Sequence, residues 1–181
     1  MPSNPDATNA PAAPPSDAEA REHFTSLACT HTALRRAARR LGNLYDDAMA
    51  PSGLKSTQAG LLAEVERITQ RDGNQPPTLQ DLADQLAVQI SAVTHALRPL
   101  IRDGLVALRP DAQDRRVKRA ALTADGQARL QAAFEHWREA NERVEAVLGT
   151  ADAVMLRRLA DQVSSDAFLT AYDQDRTERR D

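Results

Sequence analysis

Residues 79–97 read LQDLADQLAVQISAVTHAL and carry the strongest structural signal in this 181-residue chain. Thr78 is a favourable N-cap for a short helix over residues 79–86, and Asp81 lies in its first turn. A second helix is predicted over residues 90–102, before an Asp-Gly pair ends it. Each helix has an apolar face, and the two faces can pack against each other. Their residues are Leu79, Leu82, Ala83, Leu86, Ile90, Val93 and Leu97. This pattern predicts a helix-turn-helix.

The second of these helices keeps a mostly polar stripe near its N-terminus. The stripe consists of Gln89, Ser91, Ala92, Thr94, His95 and Arg98. Exposed side chains at the start of a helix can donate to base edges and phosphates in a DNA major groove about 12 Å wide. An ordinary helical hairpin with a solvated polar face would produce the same stripe. The segment after this helix, residues 105–122, distinguishes a DNA-binding helix from such a hairpin.

That segment predicts a β-hairpin with a charged tip. Residues 105–108 and 117–122 read as short strands, and the turn between and beside them is basic, with Arg115, Arg116 and Lys118. A guanidinium at such a tip can enter the narrow, electronegative minor groove. Asp114 is expected to orient the Arg116 guanidinium by a charge-assisted hydrogen bond. Directly after a helix-turn-helix, this hairpin favours DNA contact over an inert solvated loop.

Charge is distributed unevenly along the chain. The net charge is −3, which argues weakly against a nucleic-acid partner. Residues 89–119, however, contain seven Lys or Arg against three Asp, a local charge of +4. Phosphate contacts require such a concentrated basic patch, so its position outweighs the total.

Composition excludes several classes of protein. Aromatic residues make up 3% of the chain and apolar residues 41%, which favours packed helices over sheets. No apolar run is long enough for a membrane span and no signal peptide is recognisable, so we expect a cytoplasmic protein. The single cysteine, Cys29, excludes an internal disulfide. No phosphate loop, nucleophile motif or metal-ligand spacing is present, so we expect no enzyme, cofactor or metal site.

The fold class is therefore mainly α with a small β-hairpin wing: a winged helix-turn-helix with N- and C-terminal dimerisation helices. The predicted segments are a disordered arm over residues 1–18, one long helix over 19–50, the winged helix-turn-helix over 54–122, two helices over 123–172 and a charged tail over 173–181. The last of these helices is expected at residues 151–172. Tyr45 and Trp137 are interpreted as core residues.

The two C-terminal helices are too apolar for the outer layer of a monomer. Their apolar residues are Phe134, Trp137, Val144, Val147, Leu148, Met155, Leu156, Leu159, Val163 and Phe168. An intramolecular bundle would use the same pattern. The two-fold symmetry of DNA operators favours a homodimer.

Three sets of residues resemble the core pattern of the MarR (multiple antibiotic resistance regulator) family. They are SAVTHALRPLIRDGLV at 91–106, Asp-Arg-Arg at 114–116 and LTADG at 122–126. The resemblance implies a dimeric regulator, usually a repressor, that binds a pseudo-palindromic duplex operator and responds to a small phenolic-type ligand or to thiol oxidation. It also implies that Ser91, Thr94 and His95 face the major groove, and that Asp114 orients Arg116 in the minor groove.

The sequence departs from the family pattern at two positions. His95 stands where many members carry Arg, which replaces a permanent charge with a pH-dependent one. Pro99 lies inside the recognition helix, where a kink is expected because proline has no N–H to donate.

The sequence offers several candidate residues for sensing the signal that controls DNA binding. Cys29 lies among small residues of the first predicted helix, and His31, Arg35 and Arg36 are candidates for lowering the pKa of its thiol. Cys29, His31 and Arg35 are therefore effector or redox candidates. Two alternatives to a ligand-released repressor stay open: an oxidation-sensing repressor that uses Cys29, and a winged helix that binds protein instead of DNA.

Overall fold

The computed structural model describes residues 16–25 and 29–178, which divide into two units, residues 1–41 and 42–181. Eight α-helices, one 3-10 helix and one two-stranded sheet are described. In chain order they are α1 (Asp17–Thr25), α2 (Thr30–Met49), the 3-10 helix (Ala50–Ser52), α3 (Ser56–Arg71), α4 (Leu79–Gln85), α5 (Ile90–Arg102), β1 (Val106–Pro110), β2 (Lys118–Leu122), α6 (Ala124–Leu148), α7 (Thr150–Val163) and α8 (Asp166–Glu178).

Two helices, α1 and α2, are found where the sequence predicted one over residues 19–50. A new helix, α2, begins at Thr30, and the Sγ atom of Cys29 accepts the backbone N–H of Thr32 at 3.4 Å. A side chain that accepts this bond acts as an N-cap. Cys29 therefore directly precedes α2 and does not lie inside a helix. Residues 1–15 of the predicted arm lie outside the described residues. The end of the arm is wrong, because Asp17 and Ala18 form the first turn of α1.

The winged helix-turn-helix is confirmed, and its centre is apolar. Thr78 and Asp81 form a reciprocal capping box at the start of α4, as the sequence indicated. Four of the predicted apolar positions of α4 and α5 are buried: Leu82, Ala83, Val93 and Leu97. They join a core whose other large buried side chains include Leu62, Val65, Ile68 and Leu100. Burial of such side chains contributes about 1.5–3 kcal/mol each, which fixes the position of α5 on the core.

Two of the predicted core positions are wrong. Leu86 and Ile90 are 40% and 44% exposed. Leu86 caps the end of α4 and Ile90 is the first residue of α5, and between them Ala87 adopts a left-handed φ of 51°. The chain reverses at this point, so these two residues flank the turn and do not complete an apolar face.

The wing is an antiparallel hairpin whose strands pair Val106 with Leu122 and Pro110 with Lys118. Each strand differs by one or two residues from the predicted limits of 105–108 and 117–122. The backbone before α4 extends the sheet, because Ala120 donates its N–H to the carbonyl of Pro77 at 2.8 Å. The wing is therefore bonded directly to the helix-turn-helix.

The C-terminal region contains three helices where two were predicted. A break at Ser164 and Ser165 separates α7 from α8, and both hydroxyls donate to backbone carbonyls of the preceding turn. Such bonds compete with helix continuation. The helix α8 continues to Glu178, so residues 173–178 of the predicted charged tail are helical. Among the described helices, none is both long and apolar enough to cross a membrane.

Candidate nucleic-acid interface and adjoining cleft

The stripe predicted on α5 is largely exposed. Gln89, Ser91, Ala92, His95 and Arg98 are exposed, while Thr94 is partly buried. The hydroxyl of Thr94 donates to the carbonyl of Ile90 at 2.9 Å, which leaves its oxygen as an acceptor. The helix α5 runs through Pro99 to Arg102, and the kink expected there stays a prediction.

The tip of the wing is a turn that involves Asp114 and Arg116. The Oδ1 atom of Asp114 accepts the backbone N–H of Arg116 at 2.9 Å, which is the Asx-turn geometry that Asp favours. In this structure Oδ1 of Asp114 shapes the turn through the Arg116 backbone, and the expected bond from Asp114 to the guanidinium in the minor groove stays a prediction. Among the described residues, no ion pair involves the Arg116 guanidinium, and its side chain is exposed.

The base of the wing contains an ion pair that sequence reasoning missed. Arg119 donates through Nε to the carboxylate of Asp111 and through Nη1 to the carbonyl of Pro76 at 2.7 Å. Asp111 also accepts the backbone N–H groups of Gln113 and Asp114. The Asp114 N–H and the Arg119 guanidinium lower the pKa of Asp111 from its usual 3.8 to about 2.

The Pro-Asp pair at 110–111 is a turn signal that the sequence does display. The role of Arg119 depends on strand register and on the approach of the loop before α4, so no local pattern could have indicated it.

Two of the seven Lys and Arg side chains in residues 89–119 are held in ion pairs. Arg102 pairs with Asp103 and Arg119 pairs with Asp111. The other five basic residues of segment 89–119 are exposed and form no ion pair with any described residue: Arg98, Arg109, Arg115, Arg116 and Lys118. Their charges are therefore available to an anionic partner.

A cleft lies between the C-terminal end of α2 and the helices α3 and α6, and we name it the α3–α6 cleft. Its volume is about 820 Å³. The lining residues are Gly42, Tyr45, Met49, Ser56, Ala59, Gly60, Ala63, Glu66, Arg67, Gln70, Gln127, Leu130, Gln131, Ala133, Phe134 and Trp137. Ligand pockets typically measure roughly 300–1,000 Å³, so the cleft is large enough for a small organic molecule.

Tyr45 and Trp137, which the sequence analysis interpreted as core residues, instead line the α3–α6 cleft. Trp137 is 43% exposed and Tyr45 is only partly buried, so neither is a core residue as expected. The physical reason lies on α3, where Ala59, Gly60 and Ala63 line the cleft. Such small side chains cannot fill the space between α3 and α6.

The redox candidates lie in the N-terminal unit. Cys29, His31 and Arg35 are all exposed. Hydrogen bonding to the Thr32 hydroxyl lowers the pKa of the Cys29 thiol, and the Thr32 backbone adds to this effect. The expected cause, neighbouring cationic side chains, is therefore wrong. Across the described residues, no group of three or more His, Cys, Asp or Glu side chains is placed to hold a metal ion.

Comparison with known proteins relates this geometry to a family. The sequence profile of the MarR family matches residues 72–118, which include α4, α5 and β1. The chain is 37% identical to the Mycobacterium tuberculosis transcriptional regulator MosR in complex with DNA, covering 78% of this chain and 98% of that one with a TM-score of 0.67. No curated protein gives a significant match.

More distant structures share the fold. The transcriptional repressor CouR bound to a 23-mer DNA duplex is 22% identical, covering 79% of this chain and 97% of that one, with a TM-score of 0.66. A variant of Escherichia coli MarR complexed with operator DNA is 18% identical, covering 77% and 96%, with a TM-score of 0.67.

Proposed function

This chain belongs to the MarR family of transcriptional regulators, and we propose that it is a homodimeric, sequence-specific DNA-binding repressor released by a small organic ligand. In this proposal α5 enters the major groove and the wing reaches the adjacent minor groove. The solved structure of MosR, at 37% identity, is a complex with DNA and supports the proposal.

One observation carries the DNA-binding proposal. The five basic residues that form no ion pair with any described residue are distributed over α5, both wing strands and the wing tip. A protein with a net charge of −3 keeps these charges exposed while it pairs Arg102 and Arg119. Each phosphate that such a side chain neutralises releases condensed counterions, which favours binding. In the proposed complex, Gln89, Ser91, Ala92, Thr94 and His95 read bases or phosphates, and Arg116 enters the minor groove.

The proposal is tested by fluorescence anisotropy with a labelled duplex from the region beside the gene. We expect tight binding that weakens about tenfold or more in Arg116→Ala, since a charged minor-groove contact is lost. Arg102→Ala is the matched control, because that guanidinium is exposed but paired with Asp103. Absence of binding at low salt would contradict DNA binding and favour a protein-interaction module.

Exposed apolar side chains support the homodimer. Outside the α3–α6 cleft, the exposed large apolar residues of α6, α7 and α8 are Val147, Leu148, Val154, Met155, Leu159, Val163, Phe168, Leu169 and Tyr172. Such a concentration on neighbouring helices is typical of an interface, since monomers rarely expose large contiguous apolar surface. A two-fold axis through these helices would present two wings and two copies of α5 to a pseudo-palindromic operator.

The α3–α6 cleft supports ligand control because its wall is continuous with the wing. The helix α6 contributes Gln127 and Leu130 to the cleft and begins two residues after β2 ends. At that junction Thr123 donates its N–H to the carbonyl of Leu105 at 3.1 Å. A ligand that separates α3 from α6 would therefore displace the wing from its DNA-binding position, which is how we expect it to lower DNA affinity.

Oxidation of Cys29 is a second candidate signal, favoured by the exposure of its thiol and its lowered pKa. A thiolate attacks a hydroperoxide readily. Peroxide would then release DNA from the wild-type protein and not from Cys29→Ser. Equal release from both proteins would eliminate this mechanism without affecting the ligand proposal.

A further inference from the structure

We propose that the α3–α6 cleft selects an uncharged, planar aromatic compound with hydrogen-bonding substituents, and discriminates against aromatic carboxylates. This inference rests on the proposed ligand response and specifies the chemistry of the ligand. It is carried by three observations: the charges of the lining residues, the shape of the apolar wall and the kind of polar group that remains free.

Among the described residues that line the cleft, none offers a free cation to a carboxylate. Among its lining residues only Glu66 and Arg67 are formally charged. The guanidinium of Arg67 is held by Glu64, with one bond from Nε at 3.0 Å and a second from Nη2. Glu64 is mostly buried and Arg67 half-exposed, and this pairing raises the pKa of Arg67. The three residues together carry a net negative charge, so an entering carboxylate would be desolvated without compensation.

The apolar wall suits a flat ring. The rings of Phe134 and Trp137 are stacked, with their centroids 5.9 Å apart and their planes inclined by 27°. On the facing helices, a Cβ atom added to Gly42 or Gly60 would meet no heavy atom within 4 Å. The two glycines therefore leave open space opposite an aromatic pair, where a planar ring can stack.

The remaining polar groups are neutral. Gln127 and Gln131 line the cleft, and among the described residues no hydrogen bond uses either side-chain amide. The hydroxyl of Tyr45 donates to Oδ1 of Asn141 at 3.0 Å, so its oxygen can still accept. Amide and phenol groups match hydroxyl, amide or carbonyl substituents, because each can donate or accept without a charge.

The test compares two compounds with the same ring, 2-naphthamide and 2-naphthoate, by isothermal titration calorimetry at neutral pH. We expect the amide to bind wild-type protein about tenfold more tightly than the carboxylate, because burial of an unpaired charge is unfavourable. Trp137 is the only tryptophan of the chain, so a shift of the single indole N–H resonance would place the compound in the cleft. Equal or tighter binding of the carboxylate, or no binding of either compound at millimolar concentration, would overturn the proposal.

Two variants test whether the charges beside the cleft cause the preference for the amide over the carboxylate. Glu64→Gln releases Arg67, so we expect the preference for the amide to fall by at least about threefold. The control is Glu135→Gln, which removes the i,i+3 partner of Arg138 on α6, away from the residues that line the cleft; Glu142 stays within reach of that guanidinium. An unchanged preference in Glu64→Gln, or an equal change in both variants, would contradict the proposed role of charge.

A third variant tests whether the compound binds in the α3–α6 cleft. Gly60→Leu places an apolar side chain at a position where a Cβ atom meets no heavy atom within 4 Å, so it is expected to abolish binding of 2-naphthamide. Undiminished binding would overturn the assignment. DNA binding by the ligand-free protein is measured separately, so failure of the ligand proposal is distinguishable from failure of the DNA-binding proposal.

Discussion

Arg119 and Asp111 form an ion pair across the base of the wing, where their side chains are only 21% and 10% exposed. Arg119 also donates to the carbonyl of Pro76, in the loop that leads into α4. This pair therefore joins the wing to the helix-turn-helix, and it does so without using any of the five free basic residues. Its geometry gives it a positioning role for the proposed DNA-binding surface.

Substitution Asp111→Asn tests this role. The remaining amide oxygen can still accept the backbone N–H groups of the turn, but its NH₂ group would oppose the Arg119 guanidinium. We expect the variant to fold and to bind DNA roughly three- to tenfold more weakly, since a charge-assisted bond that holds the wing is lost. Asp103→Asn, which removes the exposed partner of Arg102, is the control in anisotropy titrations. Equal affinities of the two variants would exclude a positioning role.

The lowered pKa of Asp111 predicts a pH dependence of stability. A carboxyl whose pKa is lower in the folded state stabilises the fold fully above its unfolded pKa, and this contribution is lost as the pH falls through the folded value. For Asp111 the window extends from about pH 4 down to about pH 2. We expect the difference in Tm between wild type and Asp111→Asn to narrow across this window in thermal denaturation. A constant difference would show that ionisation of Asp111 is not responsible.

Gly126 allows α6 to approach closely the backbone of Leu105, the residue directly before β1. A Cβ atom at this position would lie 2.0 Å from the carbonyl oxygen of Leu105, which is backbone and cannot rotate away. We expect Gly126→Ala to destabilise the fold by about 1–3 kcal/mol or more through overpacking. The control is Gly42→Ala, a helical position with open space, where alanine is expected to stabilise by up to about 1 kcal/mol. Urea denaturation of both variants provides the comparison.

Lys118 gives a prediction about salt dependence. If its exposed ammonium neutralises one phosphate, Lys118→Gln should reduce the slope of log K against log salt concentration by about 0.9. Arg102→Gln should leave that slope unchanged, because its guanidinium is engaged by Asp103. Titrations at three salt concentrations measure both slopes, and equal slopes in the two variants would argue against a phosphate contact by Lys118.

Leu159 lies on the exposed apolar side of α7 with Met155 and Val163, at a spacing of four residues. We expect Leu159→Glu to convert the dimer to a monomer, because a carboxylate buried in an apolar interface is strongly unfavourable. Light scattering after size exclusion measures the mass. Gln162→Glu adds the same charge at another exposed position of α7 and should leave the dimer intact. A monomeric wild-type protein would contradict the homodimer itself.

The sequence anticipated the winged helix-turn-helix in detail because its signals are local. Thr78 and Asp81 cap α4 through bonds that span three residues, and the apolar period of α3 follows directly from helix geometry. The exposed stripe on α5 follows from the same period. The sequence was less accurate at helix breaks, where Cys29 and the pair Ser164–Ser165 interrupt predicted helices through side-chain bonds to nearby backbone.

Tertiary structure alone decided which charges are free and where a ligand could bind. Asp111 and Arg119 are eight residues apart and Pro76 is far from both, so their contact depends on strand register and on the loop before α4. Likewise, Gly60 and Trp137 line one cleft only because α3 packs against α6 with small residues between them. A chain determines by itself the features that arise within a few residues, such as caps, helical period and turns. Pairing between distant side chains and the space left between helices depend on how completed elements pack, which no local pattern encodes.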